Sequence, residues 1–154
     1  MKVIIGSDHA GFTYKTLLVT ELQQKGYDVL DMGTHHVNTN DDYPDCASNV
    51  ASAIQKDQGV RGILICGSAV GVSIVANKFK GIRAGVCHDT YSAHQCVEHD
   101  DVNILCMGER VIGIELAKEI VFAFLGATFN NAPRYQRRLE KITAIENKIG
   151  KAHE

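Results

Sequence analysis

The sequence predicts an α/β fold of the Rossmann-like type, a three-layer sandwich around a five-stranded parallel sheet. Short apolar runs alternate along the chain with longer segments of helical periodicity, which is typical of right-handed β–α–β crossovers. The 154 residues contain no internal repeat, low-complexity tract or linker, so we expect a single domain over 1–154.

Five apolar runs are the predicted strands, and they cover residues 3–5, 28–30, 62–65, 82–86 and 102–106. Six other segments are predicted helices: 15–25, 43–56, 70–79, 90–99, 112–125 and 133–149. Gly26 stands where a glycine commonly ends a helix. Asp41 and Asp42 are candidates to cap the second helix, which has Pro44 in its first turn.

The last predicted helix has no strand after it to cover. Its apolar residues recur at helical spacing: Leu139, Ile142, Ile145 and Ile149. Two interpretations stay open. The apolar stripe lies back on its own core, or it is used in dimerisation, where it packs against a second copy of the chain.

Charge and composition limit the classes of partner. The formal net charge is −2 with no basic excess, so we expect no nucleic-acid partner. No run approaches the roughly 18 apolar residues of a membrane span, so we expect no membrane partner. The five cysteines form no C-x-x-C pair and the chain does not start as a signal peptide, which predicts a reducing, cytoplasmic setting. The histidines and cysteines lack zinc-finger spacing, so we expect no metal.

The strongest candidate for chemistry is Cys66, which follows the third apolar run. A short turn comes next, and the following predicted helix begins at Val70. Unpaired N–H groups at the start of a helix stabilise a thiolate or a nearby oxyanion. The alternative is that Cys66 is a small buried hydrophobe. That role is the one expected for the other four cysteines: Cys46, Cys87, Cys96 and Cys106.

Further polar residues are expected beside this turn, because ligands of open parallel sheets bind beyond the carboxyl ends of the strands. Asp8 and His9 follow the first strand, Ser68 follows Cys66, and His99 ends the helix before the fifth strand. Convergence of these loops would assemble an acid, two imidazoles, a thiol and a hydroxyl in one site. The alternatives are that Asp8 caps the next helix and that His99 is a surface residue.

Anion binding is predicted at two places. Residues 67–71 form a short glycine-containing turn that suits a small anionic or enediolate oxygen, and they match neither the dinucleotide nor the P-loop motif. Arg134 and Arg138 share a helix face near a helix N-terminus, which favours a phosphate clamp. A solvated basic face is the alternative for these two arginines.

Six motifs occur in order along nearly the whole chain. They are Gly6-Ser7-Asp8-His9-Ala10-Gly11, Asp42-Tyr43-Pro44, Gly62-Ile63-Leu64-Ile65-Cys66-Gly67-Ser68, Ala76-Asn77-Lys78, Gly81-Ile82-Arg83-Ala84 and Met107-Gly108-Glu109-Arg110-Val111-Ile112-Gly113. With these motifs the chain resembles the type B ribose-5-phosphate isomerase family, which also contains galactose-6-phosphate and allose-6-phosphate isomerases.

The resemblance implies an aldose–ketose isomerase of sugar phosphates that needs neither metal nor cofactor. The implied reaction interconverts ribose 5-phosphate and ribulose 5-phosphate through a cis-enediolate, as a step of the pentose phosphate pathway. The implied assembly is a homodimer with sites shared between the subunits, which in some members pairs into a tetramer.

The resemblance also implies roles for individual residues. Cys66 occupies the position of the catalytic base, Ser68 helps move a proton between substrate oxygens, and His99 with Asp8 opens the sugar ring. Another branch of the family uses a glutamate that aligns with Val72, and valine cannot take a proton. The implied contacts to the sugar and its phosphate are His9, Tyr43, Gly67, Ala69, Val70, Gly71, Asp100, Arg110, Arg134 and Arg138. Of these, Arg134 and Arg138 reach across from the partner subunit.

Two positions depart from the family pattern. Asp100 stands where an asparagine is usual, and a carboxylate only accepts hydrogen bonds. Ala69 replaces a usual glycine, so its β-carbon restricts the turn if φ is positive. These departures leave open a six-carbon substrate such as allose 6-phosphate. A non-catalytic sugar-phosphate or nucleotide-binding module is the alternative from a different functional class.

Overall fold

Five parallel strands form the central sheet, in the spatial order β2-β1-β3-β5-β4. A computed structural model of the chain describes residues 1–37, 39–57 and 59–151. The strands are β1 Lys2–Ser7, β2 Asp28–Asp31, β3 Arg61–Cys66, β4 Ala84–Val86 and β5 Ile104–Gly108. Every strand pair is parallel, which confirms the sheet predicted from the alternating pattern.

All six predicted helices are present, and a short 3-10 helix, His9–Gly11, precedes the first of them. They are α1 Phe12–Gln24, α2 Tyr43–Lys56, α3 Val70–Ala76, α4 Thr90–Asp100, α5 Ile114–Gly126 and α6 Pro133–Lys151. In a parallel β–α–β unit the connecting helix runs back against the strand direction. None of the helices in the described ranges is long and apolar enough to cross a membrane.

The helices form two layers that bury opposite faces of the sheet. Successive side chains of a strand point to opposite faces. Ile5 of β1 therefore packs with α1, α4 and α5, whereas its neighbour Ile4 packs with α2 and α3. Both side chains are at most 1% exposed. The three-layer sandwich is confirmed.

Two elements are shorter than the sequence predicts. The helix expected over 70–79 ends at Ala76, and the strand expected over 82–86 is limited to Ala84–Val86. Asn77 lies between them and explains both boundaries. Its side-chain amide donates to the Ala84 carbonyl at 2.9 Å and accepts the Ala84 N–H at 2.9 Å, so it occupies the free edge of β4.

The C-terminal helix α6 leaves two residues of its apolar stripe exposed, whereas Leu139 is half-buried. Ile142 is 44% exposed and Ile145 is 59% exposed. Near the end of α6, the Glu146 carboxylate accepts the Gly81 N–H at 2.7 Å and tethers the helix. The Ile149 side chain, which belongs to the predicted stripe, lies outside the described part of the structure.

Candidate active site

A cleft of about 380 Å³ opens beyond the carboxyl ends of β1, β3 and β5. This is the position that the parallel topology predicts for a ligand site. The lining residues are Asp8, His9, Ala10, Tyr43, Cys66, Gly67, Ser68, Gly71, Arg110 and Val111. The convergence predicted for the loops after the first and third strands is therefore present within one chain.

Cys66 lines this cleft at the end of β3 and is 5% exposed. Its sulfur accepts the main-chain N–H of Ala69 at 3.0 Å. The backbone around it is pinned by the segment after β5, since Glu109 and Arg110 donate their N–H groups to the carbonyls of Cys66 and Gly67 at 2.9 and 3.1 Å. The thiol is thus held in one place and still faces a ligand space.

The turn after Cys66 depends on a residue with an unusual backbone conformation. Ala69 has φ 73° and ψ −16°, the left-handed region, so the restriction expected from its β-carbon is real. This geometry directs the Ala69 N–H back to the sulfur. In the described part of the chain, the N–H groups of Ser68 and Gly71 meet no protein acceptor. They are available to a ligand oxygen.

The other four cysteines are poorly suited to proton transfer at this cleft. Cys87, Cys96 and Cys106 are buried, as predicted, whereas Cys46 is only half-buried. Burial raises the pKa of Cys46 to about 12, and it also raises the pKa of the Cys106 thiol. Cys87 and Cys96 lie 3.9 Å apart, sulfur to sulfur, on the face of the sheet away from α2 and α3.

Asp8 combines a capping role with a place in the cleft. One oxygen of its carboxylate accepts the N–H groups of Ala10 and Gly11 at 3.0 and 3.2 Å, at the start of the 3-10 helix. The capping interpretation is therefore correct, and the same side chain lines the ligand space. Burial raises the pKa of Asp8, and the nearby charge of His9 and the two N–H donors only partly oppose this shift.

His9 is held by Asp41, a contact that the sequence did not predict. One Asp41 carboxylate oxygen lies 2.5 Å from His9 Nδ1 and accepts the His9 main-chain N–H at 3.2 Å. The sequence suggested that Asp41 or Asp42 caps α2. Asp42 occupies the cap position, but its side chain makes no capping hydrogen bond. The Asp41 side chain instead contacts His9, the first residue of the 3-10 helix that follows β1.

Tyr43 and Arg110 flank the turn, and each packs over a glycine. A β-carbon on Gly71 would lie 2.7 Å from the Tyr43 ring, and one on Gly67 would lie 3.4 Å from an Arg110 guanidinium nitrogen. Close approach of the Tyr43 ring therefore favours glycine at position 71, whereas a β-carbon at position 67 would make only an ordinary contact with Arg110. Among the described residues no carboxylate pairs with Arg110, so its charge faces the cleft without a counter-ion.

His99 and its neighbours are not in the cleft of their own chain, which corrects one prediction. His99 and Asp100 end α4, and α4 runs back against the strands, so they lie beside the amino end of β5. Arg134 and Arg138 belong to the first turns of α6 at the same edge. The error arose because a helix that leads into a parallel strand ends near the amino ends of the strands. The ligand site lies at the other side, beyond their carboxyl ends.

Tyr135 organises this second cluster and was missed by the sequence analysis. Its ring stacks on the His99 imidazole with centroids 4.5 Å apart, and its hydroxyl lies 3.1 Å from His99 Nε2. Arg134 and Arg138 lie over the same ring at 5.1 and 6.0 Å. The Gln95 amide nitrogen, 2.7 Å away, donates to His99 Nδ1 and leaves the proton on Nε2. The only sequence signal was the place of Tyr135 between two arginines.

The fold and the cleft define a class of protein: an α/β protein with a thiol-lined cleft for a small anionic ligand. Comparison with known proteins gives the family. Residues 3–142 match the profile of the family described as Ribose/Galactose Isomerase. The chain is similar to ribose-5-phosphate isomerase B of Escherichia coli K12, at 49% identity over 147 residues that cover 96% of this chain and 97% of the relative.

Two solved structures have the same fold. Ribose-5-phosphate isomerase B of Clostridium thermocellum superposes with a TM-score of 0.92 at 47% identity and covers 97% of this chain and 99% of its own. The enzyme of Mycoplasma genitalium, solved with bound ribulose-5-phosphate, superposes with a TM-score of 0.91 at 39% identity and covers 95% and 96%. The chain belongs to the Ribose/Galactose Isomerase family of sugar-phosphate isomerases.

Proposed function

We propose that this aldose–ketose isomerase interconverts ribose 5-phosphate and ribulose 5-phosphate through a cis-enediolate. The observation that carries the proposal is the Cys66 sulfur, which faces a cleft with free main-chain N–H groups on one side and the Arg110 cation on another. The similarity to a ribulose-5-phosphate complex of a 39% identical enzyme supports this choice of substrate.

Cys66 is the base of the proposed reaction. As a thiolate it removes the proton from C2 of the open-chain aldose, and the C2 electron pair forms the C1–C2 double bond while the aldehyde oxygen becomes negative. Return of a proton from the Cys66 thiol to C1 gives the ketose. The Ser68 hydroxyl transfers a proton between O1 and O2, and the free N–H groups of Ser68 and Gly71 stabilise the enediolate oxygen.

The phosphate is proposed to lie toward His9 and Arg110, the two nitrogen-bearing side chains that line the cleft in this chain. Arg110 has no ion-pair partner among the described residues, so binding an anion satisfies it rather than breaking an existing pair. A guanidinium matches two phosphate oxygens at once. Tyr43 lines the wall between the phosphate end and the reacting end.

We propose that a second copy of the chain completes the site. His99, Arg134 and Arg138 lie together around Tyr135, at the end of the strands away from Cys66, and Asp100 follows His99 at the end of α4. In a homodimer, His99 of the partner subunit would open the sugar ring with Asp8. Arg134 and Arg138 of the partner subunit would bind the phosphate, and Asp100 would contact the sugar.

Exposed apolar side chains support this assembly. Val111 lines the cleft and is 53% exposed. Val70 and Ile74 belong to α3, which begins beside the cleft, and they are 54% and 56% exposed. α6 adds the uncovered Ile142 and Ile145. A two-fold axis would bring the patch beside the cleft against α6 of the second copy, and α6 of this chain against the same patch of the second copy, because each contact of such an interface occurs twice.

All five cysteines are free, which supports a reducing cytoplasmic setting for the proposed reaction. In that setting the enzyme would act within pentose phosphate interconversion. Fractionation of cells into cytoplasmic and membrane pools, followed by detection of the chain, tests the location.

A panel assay tests the substrate. Purified protein treated with a chelator is given four-, five- and six-carbon aldose phosphates, including ribose 5-phosphate and allose 6-phosphate, and ketose formation is followed. We expect kcat/KM to be highest for ribose 5-phosphate. A higher value for allose 6-phosphate would move the assignment to a six-carbon substrate and point to Asp100. No turnover of any sugar phosphate would support a non-catalytic binding module.

A further inference from the structure

The Asp41 side chain has an unusually specific contact for a residue in a loop. A single oxygen of its carboxylate lies 2.5 Å from His9 Nδ1 and 3.2 Å from the His9 main-chain nitrogen. The Asp41 side chain is 21% exposed and that of His9 is 30% exposed, so solvent only partly surrounds the pair. One carboxylate oxygen thus fixes both the main-chain nitrogen and the ring Nδ1 of His9. This leaves the imidazole little freedom to rotate.

This contact decides which ring nitrogen a ligand can meet. A carboxylate accepts hydrogen bonds, so His9 Nδ1 carries a proton and donates it to Asp41. His9 lines the cleft, and Nε2 is its only ring nitrogen not already engaged. The partner of one imidazole nitrogen sets the tautomer and the orientation of the other.

We infer that Asp41 is a positioning residue that holds the His9 imidazole so that Nε2 faces a phosphate oxygen of the ligand. The inference rests on the proposed function, because it takes the ligand to be a sugar phosphate whose phosphate lies beside His9. Asp41 itself does not line the cleft and acts through His9.

The adjacent residue supplies a matched control. Asp42 has the same charge, is exposed, and its side chain makes no cap hydrogen bond at the start of α2. Both Asp41→Ala and Asp42→Ala remove one negative charge near the cleft, so they change its electrostatic potential in a similar way. The effect transmitted through His9 belongs to Asp41→Ala alone.

The test measures the Ki of inorganic phosphate and the KM and kcat for ribose 5-phosphate. We expect Asp41→Ala to raise the Ki of phosphate and the KM by about tenfold each, with kcat within about twofold of the unchanged protein. A loss of this size is seen when a metal-ligating histidine loses the hydrogen-bond partner of its other ring nitrogen. Asp42→Ala should match the unchanged protein. Asp41→Asn keeps an acceptor oxygen and should lie between the two. Equal Ki values for Asp41→Ala and Asp42→Ala would overturn the inference, as would a wild type that does not bind phosphate.

A double-mutant cycle separates positioning from a purely structural role. His9→Asn keeps an N–H near Asp41 and removes the ring nitrogen that faces the ligand. In that background, Asp41→Ala should no longer change the Ki of phosphate. An undiminished effect would mean that Asp41 acts through the loop and not through the imidazole.

Nitrogen-15 NMR of the imidazoles gives a readout that does not depend on turnover. His9 Nδ1 should be protonated in the unchanged protein and in Asp42→Ala, and should lose that preference in Asp41→Ala. An unprotonated Nδ1 in the unchanged protein would contradict the inference. If phosphate binding and the NMR result depend on Asp41 but no aldose phosphate is isomerised, the proposed function fails while the phosphate contact stands.

Discussion

Cys66 and His99 lie at opposite ends of the parallel strands, Cys66 at the carboxyl end and His99 at the amino end. Cys66 ends β3 and lines the cleft, whereas His99 lies in the last turn of α4, beside the amino end of β5, where it stacks on Tyr135. A single chain therefore does not hold the proposed base and the proposed ring-opening histidine in one site. The proposed dimer resolves this separation by bringing His99 of the partner subunit to the cleft.

Complementation between inactive variants tests the shared site. Cys66→Ala and His99→Ala should each be inactive alone on the cyclic sugar. After mixing at equal amounts and exchange of subunits, half of the dimers are mixed and each has one intact site, so about a quarter of the unchanged activity should return. Activity that stays at the level of the separate variants, with exchange verified by mass, would rule out sites shared between subunits.

Asp8 should make the stability of the protein depend on pH. Burial raises its pKa in the folded state, so the native chain holds this proton more tightly than the unfolded chain. The resulting stabilisation is fully present below the ordinary aspartate pKa and is lost as the pH rises through the raised folded value. Asp8→Asn keeps an oxygen for the Ala10 N–H and should raise Tm at pH 7, with a smaller gain at pH 3. A gain of the same size at both pH values would contradict the burial effect.

Ala69 should tolerate glycine and reject a β-branched residue. Glycine relieves a left-handed strain of about 1–2 kcal/mol. It also loses a fully buried methyl group worth about 0.8 kcal/mol. Greater backbone freedom in the unfolded chain costs glycine roughly another 0.5–1 kcal/mol. These effects nearly cancel, so Ala69→Gly should be close to neutral in urea unfolding, whereas Ala69→Val should be strongly destabilising. A tolerated valine would show that the turn can leave the left-handed region.

Lys15 is one of the largest fully buried side chains among the described residues, and we expect the fold to depend on its ion pair. It is 1% exposed, and its ammonium lies 2.6 Å from Asp31, whose other oxygen accepts the Gly33 N–H at 2.9 Å. Asp31→Asn leaves the ammonium without a counter-charge and should cost about 3 kcal/mol of unfolding free energy. The double variant Lys15→Met, Asp31→Asn should recover part of that loss.

The control for this pair is the exposed contact of Lys2 with Asp57, whose side chains are 38% and 48% exposed. Asp57→Asn should leave the urea midpoint nearly unchanged, because solvent screens such pairs. A similar decrease in unfolding free energy for Asp31→Asn and Asp57→Asn would contradict this prediction, because it would show that burial of Lys15 does not increase the effect of losing its counter-charge.

The sequence was sufficient for the sheet, the order of helices and the cleft, because alternating periodicity and parallel topology together place the strand ends. The sequence does not predict contacts that depend on the path of a loop. Asp41 is one of two candidate caps for α2, and in the structure it holds His9. The sequence analysis also placed His99 at the carboxyl ends of the strands. The spacing of residues along the chain does not show that α4 runs back toward their amino ends. Tyr135 was missed because its contact with His99 joins α6 to α4, two helices that are distant in sequence.

The most direct test of the account is turnover of ribose 5-phosphate by Cys66→Ala, with Cys46→Ala as the matched control. Cys46 is a neighbouring thiol whose pKa burial raises to about 12. If the Cys66 sulfur moves the proton between C1 and C2, Cys66→Ala should lose turnover and exchange of that proton with deuterated solvent, while Tm and Cys46→Ala activity stay near those of the unchanged protein. Turnover by Cys66→Ala at close to the normal rate would contradict the central claim.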